Sequence, residues 1–228
     1  MKIQVEVVSI LIVTIICSLV FILMGNKVTK LDMSKKPTGV ANLAIQFVSS
    51  FRNLTMASMG EKFGPGYAPY ITVLFSYLAL SNMAGLLGIS NPTANYSVTL
   101  SLALISWILF QRAKIKYTGL MPTIKGMFEP VFLFFIPNFF GLMAPLISMS
   151  LRLFGNVLSG RIIGSLLYMF TGWLSSLAPA IGNFNFVAMI LAPPIHFYFD
   201  VFSALLQAFL FISLTMVFIS VELPTNEN

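Results

Sequence analysis

Forty-nine consecutive residues, Phe63 to Gln111, carry no formal charge, and residues 126 to 221 hold only four: Glu129, Arg152, Arg161 and Asp200. Of 228 residues, 57% are hydrophobic and 9% charged, with 22 Phe, and the mean hydropathy is +0.91. A soluble domain carries about 25% charged residues and needs them to stay dispersed. This chain belongs in a bilayer.

The net charge of +6 does not point to nucleic acid, because eight of the 13 basic residues fall in two short clusters between apolar runs. Lys27, Lys30, Lys35 and Lys36 form the first, and Arg112, Lys114, Lys116 and Lys125 the second. Such clusters mark cytoplasmic loops. The uncharged run Val7 to Asn26 is longer than a signal-peptide core of about 7–15 residues, and no A-x-A-like site comes after it, so it reads as a retained anchor. Cys17 is the one cysteine and reads as a small apolar filler, with no disulfide and no Cys-based metal cluster to build from it.

The first span is predicted over about 5–25, with the N-terminus outside and the C-terminus cytoplasmic. From 38 to 62, Val40, Leu43, Phe47, Phe51 and Leu54 recur at helical steps opposite Gln46, Ser49, Ser50, Arg52 and Asn53. This is an amphipathic helix suited to the membrane surface, and "KFGPGYAP" at 62–69 is expected to break it. The turn-rich "GISNPTANY" then divides the uncharged run into a transmembrane hairpin of about 67–89 and 95–112. The remainder reads as two helices, about 130–171 and 184–221, joined by the polar connection 171–185. At 1.5 Å per residue each is roughly 55–60 Å long, against a hydrocarbon core of about 30 Å. They must tilt strongly, bend, or lie in the membrane plane. The expected fold is therefore one all-α polytopic membrane domain, residues 1–228, without internal repeats.

Few groups in this domain can do chemistry. An arginine at the bilayer centre costs between about 2.5 and 17 kcal/mol. Arg152, with 22 uncharged residues before it, is a functional candidate; the bland alternative is snorkelling to a headgroup. Asn156 and Ser159 lie near its face, and Arg161 lies about 180° around the helix. On the last helix His196, Asp200, Ser203 and Gln207 form one polar stripe. Its imidazole and carboxylate can exchange protons, or Asp200 can be the structural ion-pair partner of Arg161. Gly155 with Ser159, and Gly160 with Gly164, give the small-xxx-small spacing that lets helices approach closely. No phosphate-binding loop, nucleophile elbow or zinc motif is present, so neither a cofactor nor a metal is expected.

"SLRLFGN" with "GRIIG" behind it, and "LLQAFLFISLTMVFIS" at 205–220, resemble subunit a of the F-type ATP synthase, bacterial type. "FGPGYAPYITVLFSYLALSNMAGLLG" (63–88) and "NPTANYSVTLSLAL" (91–104) extend the resemblance to most of the chain. The resemblance implies a non-catalytic, ion-translocating stator subunit of the Fo sector in the bacterial plasma membrane, with a proton as the first reading of the ion and sodium left open, because the site that selects it would be on the c subunit. Its implied partners are the c-ring, the peripheral-stalk b subunits and the rest of the F1Fo complex. Arg152 matches the fixed cation that faces the ring carboxylates between two offset half-channels. Asn156, Gln207, Asn82 and Thr93 match polar positions along the ion path. Where many members carry an acid or histidine this chain has Arg161, and where they carry histidine or glutamate it has Asp200. That exchange leads to the expectation of a compensated Arg161–Asp200 pair. Family members often carry an acid at the position of Gly85, so the inlet is expected to rely on His196, Asp200, Ser203, neutral polar groups and water.

Two other functions compete. A self-contained secondary transporter often shows two related halves, which this sequence lacks. A non-transporting assembly scaffold would tolerate Lys or Gln at Arg152.

Overall fold

The computed structural model describes residues 5–30, 37, 39–129, 131–177 and 185–224. Lys35 and Lys36 of the first basic cluster, and 178–184 of the polar connection, lie outside these residues. Every regular element among the described residues is helical. Helices α1 (Val5–Thr29), α2 (Gly39–Met83), α3 (Tyr96–Thr118) and α4 (Leu120–Gly126) precede α5 (Phe135–Ser176). Then α6 (Phe186–His196), a π-helical segment (Phe197–Phe202) and α7 (Ser203–Val221) run on as one rod. Five stretches are long and apolar enough to cross a membrane, the two longest spanning 48 and 45 residues. This is an all-α, multi-pass membrane protein.

The largest departure from expectation lies in α2. The helix does not stop at 62–69; Pro65 and Pro69 sit inside it, and the break falls at Gly60, with φ 79° and ψ 164°. Only glycine adopts that region readily. The kink folds the second half of the helix against the first so tightly that a Cβ on Gly64 would lie 2.6 Å from Met56 Cα. Two glycines four residues apart thus make the bend, one by conformation and one by lacking a side chain. Gly64→Val is therefore expected to cost about 1–3 kcal/mol by overpacking. Thermal unfolding of the purified chain in detergent should show a lowered midpoint, with Gly66→Val, where a Cβ meets nothing within 4 Å, nearly unchanged.

Before the kink, Phe51 is buried and Phe47 and Leu54 pack beside it, while Ser49, Ser50, Arg52 and Asn53 form the outer face. Val40 and Leu43, the start of the same stripe, instead line an apolar groove against α1. Beyond the kink, Ile71, Leu74 and Leu78 enter the main core with Ala103 of α3, Leu153 of α5, and Phe211, Ile212 and Ile219 of α7. Helix α3 passes the basic residues to end at Gly119 (φ 93°), since Arg and Lys are good helix formers and extend it.

Helix α5 contains 42 residues, about 63 Å at 1.5 Å per residue. It touches α3, α6 and α7, and Trp107 Nε1 of α3 donates to the Leu142 carbonyl at 2.9 Å. Yet only 6% of its most apolar stretch is buried, against 44% for the rod of α6 and α7. Most of α5 therefore waits for lipid or for another chain. Its far end is held by Asn185, whose carboxamide caps α6 through Ala188 N–H (3.0 Å) and bonds Ser175 and Thr171 of α5 (3.0 and 3.1 Å).

Candidate functional site

A cleft of about 340 Å³ opens where the end of α2 and the loop after it meet the middle of α5 and the π-helical segment. Its lining brings together Asn82, Asn156, Arg161, His196 and Asp200, which are far apart in sequence.

Three hydrogen bonds frame the cleft. Thr93 donates its hydroxyl proton to Asn82 Oδ1 at 2.6 Å, and both residues are buried. Asn82 Nδ2 then reaches the Ala204 carbonyl at 3.5 Å, linking α2 to α7. Ser203 donates to Asn156 Oδ1 at 2.8 Å, linking α7 to α5. Gln207, one turn beyond Ser203, is buried with its Nε2 unpartnered, and Asn91 Oδ1 in the cleft wall is unpartnered too. An unpaired buried donor or acceptor is costly unless water satisfies it. Of the two, Asn91 Oδ1 belongs to the cleft wall and offers an acceptor to water entering it, whereas Gln207 is not part of the lining.

The charges are arranged differently from the expectation. Asp200 Oδ2 lies 2.8 Å from His196 Nδ1, one turn back on the same rod. Among the described residues no ion pair joins Asp200 to Arg161, although both line the cleft. The physical reason is proximity: an i,i+4 neighbour is always within reach, while Arg161 must span the cleft. On its other side the imidazole meets Tyr168, whose hydroxyl is 2.8 Å from Nε2. Sequence reasoning passed over Tyr168, an ordinary aromatic on an apolar helix; only its position two turns after Arg161, facing the cleft, could have suggested it. It also passed over Asn91, whose Oδ1 lies 2.9 Å from where a Cβ on Gly85 would be.

The π-helical segment was not anticipated. Pro193 and Pro194 remove two N–H donors from α6, and one turn later the ladder widens to i→i+5. The wider turn rotates α7 relative to α6, so the stripe divides. His196 and Asp200 bond each other, whereas Ser203 faces Asn156. Gly160 and Gly164 line the cleft, and the π-helical segment comes close at the first of them, a Cβ on Gly160 meeting the Phe199 ring at 3.6 Å.

Arg152 stands apart. It lies on α5 one turn before Asn156, is exposed, and makes no hydrogen bond or ion pair among the described residues. Ser148, Ser159 and Leu166, all exposed, share its side of the helix. A strong fork of donors sits on the helix surface with no partner among the described residues.

The model of the family described as ATP synthase A chain matches residues 7–220. The chain is 32% identical over 243 residues to ATP synthase subunit a of Mycoplasmoides gallisepticum, covering 98% of this chain and 80% of the relative. To ATP synthase subunit a of Mycoplasma genitalium it is 32% identical over 228 residues, 92% and 76% of the two chains. To the sodium ion specific ATP synthase subunit a of Propionigenium modestum it is 35% identical over 170 residues, 67% of this chain and 53% of that one.

Proposed function

The chain belongs to the ATP synthase A chain family, the ion-translocating stator subunit of Fo, and on that premise we propose that Arg152 is the fixed cation that meets the carboxylates of a rotating c-ring. The carrying observation is the unpartnered Arg152 guanidinium on the exposed side of a 42-residue apolar helix. A permanent charge in hydrocarbon requires compensation, and a guanidinium fork is matched by a carboxylate. Among the described residues none is offered there, so the carboxylate comes from a neighbour. A ring of identical subunits brings one after another past the same arginine.

The cleft walled by Asn82, Asn156, His196 and Asp200 serves as one half-channel, with Thr93 and Ser203 holding its frame and Gln207 buried one turn beyond Ser203. Protons are the ion that this half-channel suits: a histidine and a carboxylate in contact can take up and release them. Sodium is the second reading, favoured by the likeness to the Propionigenium modestum protein. Synthesis driven by a pH step without sodium separates the two. The segment before Gly60 lies along the membrane surface, the N-terminus is outside, and the chain performs no covalent catalysis itself. The b subunits of the peripheral stalk and the F1 sector complete the assembly in the bacterial plasma membrane.

Cross-linking tests the docking. In a Cys17→Ser background, cysteines at Ser148, Ser159 and Leu166 are expected to cross-link to c subunits in the assembled complex. A cysteine at Leu19 of α1, 56% exposed, serves as comparison and should not. No cross-link from α5, or equal yields from α1, would overturn the assignment.

A further inference from the structure

We propose that Tyr168 is a positioning residue for the ion path, keeping the His196 imidazole hydrogen-bonded in both of its protonation states. The inference deepens the half-channel reading and rests on it.

The geometry is a chain of three side chains with two contacts of 2.8 Å: Tyr168 hydroxyl to His196 Nε2, and His196 Nδ1 to Asp200 Oδ2. An ionised carboxylate only accepts, so Nδ1 carries the proton and donates it to Asp200. In the neutral ring Nε2 is then a lone pair, and it accepts from the Tyr168 O–H. When a proton from cleft water adds to Nε2, the ring becomes an imidazolium whose charge the Asp200 carboxylate balances. Nε2–H is now a donor. A hydroxyl is both donor and acceptor, so Tyr168 turns its hydrogen away and accepts from Nε2–H. Loss of that proton to the next water restores the starting state, with one proton moved and every atom accounted for. Phenylalanine could keep the ring contact, 5.9 Å between centroids, but could not bond either state.

The charged groups facing His196 are Asp200 from the π-helical segment and Arg161 from α5; the end of α2 and its loop present only the neutral Asn82, Ser90 and Asn91. Among the described residues Tyr168 is therefore the group besides Asp200 that touches the ring with a hydrogen-bonding atom. Without its hydroxyl the imidazole keeps the hydrogen bond to Asp200 and loses the one at Nε2.

His196 is the single histidine of the chain, which makes its ring nitrogens directly observable. In the full chain labelled with ¹⁵N-histidine and held in lipid vesicles, neutral His196 should show one protonated nitrogen and one hydrogen-bonded acceptor. In Tyr168→Phe the acceptor resonance should shift and the protonated one should not. In vesicles of the whole complex, Tyr168→Phe should slow proton-driven ATP synthesis several-fold beside Arg152→Gln as control. An unchanged Nε2 resonance in Tyr168→Phe overturns the proposal, and that readout does not depend on assembly. Normal synthesis by Tyr168→Phe while Arg152→Gln fails overturns it too, leaving the half-channel reading standing. Normal synthesis by Arg152→Gln overturns the half-channel reading, and this inference with it.

Discussion

Arg152→Gln is expected to abolish ion-driven ATP synthesis while the complex still assembles. Glutamine retains polarity and most of the length but no charge, so it cannot favour the ionised form of a passing carboxylate. The fold should survive, because Arg152 makes no hydrogen bond or ion pair among the described residues. No bond among the described residues is lost with the guanidinium, so the purified subunit should be about as stable as before. Arg152→Lys keeps the charge and loses the planar fork; it should rescue only part of the rate. The measurement is synthesis in sealed vesicles with the amount of assembled complex determined in parallel. This pattern also separates the stator from a scaffold, for which assembly would fail first.

The second large effect is at Asp200. Asp200→Asn leaves a side chain of the same shape with no negative charge to balance an imidazolium. Proton-driven synthesis should fall at least tenfold, toward the range of about 10²–10⁴ that a positioned proton-transfer group contributes. Arg161→Gln should be far milder, because Asp200 is bonded to His196 and not to Arg161. Exchanging the two residues, Arg161→Asp with Asp200→Arg, should therefore fail to recover activity. Recovery by the exchange would show that the carboxylate and the guanidinium act as a compensated pair during turnover.

The parts of this molecule that the bilayer dictates were legible in the sequence. Charge-free runs too long for one crossing announced the length of α5 and of the rod formed by α6 and α7. The cost of a lone cation in lipid singled out Arg152 without any structure. The features that escaped were set by packing and backbone detail. The Gly-Pro cluster at 63–69 is the stronger punctuation in sequence, yet Gly60 makes the bend, because the prolines are accommodated within the second half of the helix while the bend itself needs a positive φ. Charge complementarity suggested Arg161 with Asp200, whereas the i,i+4 geometry of one helix gave Asp200 to His196. Helical periodicity drew one stripe from His196 to Gln207, and the π-helical turn after the Pro193–Pro194 pair divided it. Tyr168 became visible only when α5 and α6 were laid side by side.

The central claim is that the partner of Arg152 is a carboxylate supplied by the ring. The most direct measurement is an experimental structure of the assembled complex that resolves side chains along α5. The Arg152 guanidinium is predicted to face a c-subunit carboxylate across a narrow gap, within about 4 Å at one ring position. An Arg152 that instead reaches a lipid phosphate, or is neutralised by an acid of a subunit that does not rotate, would contradict it.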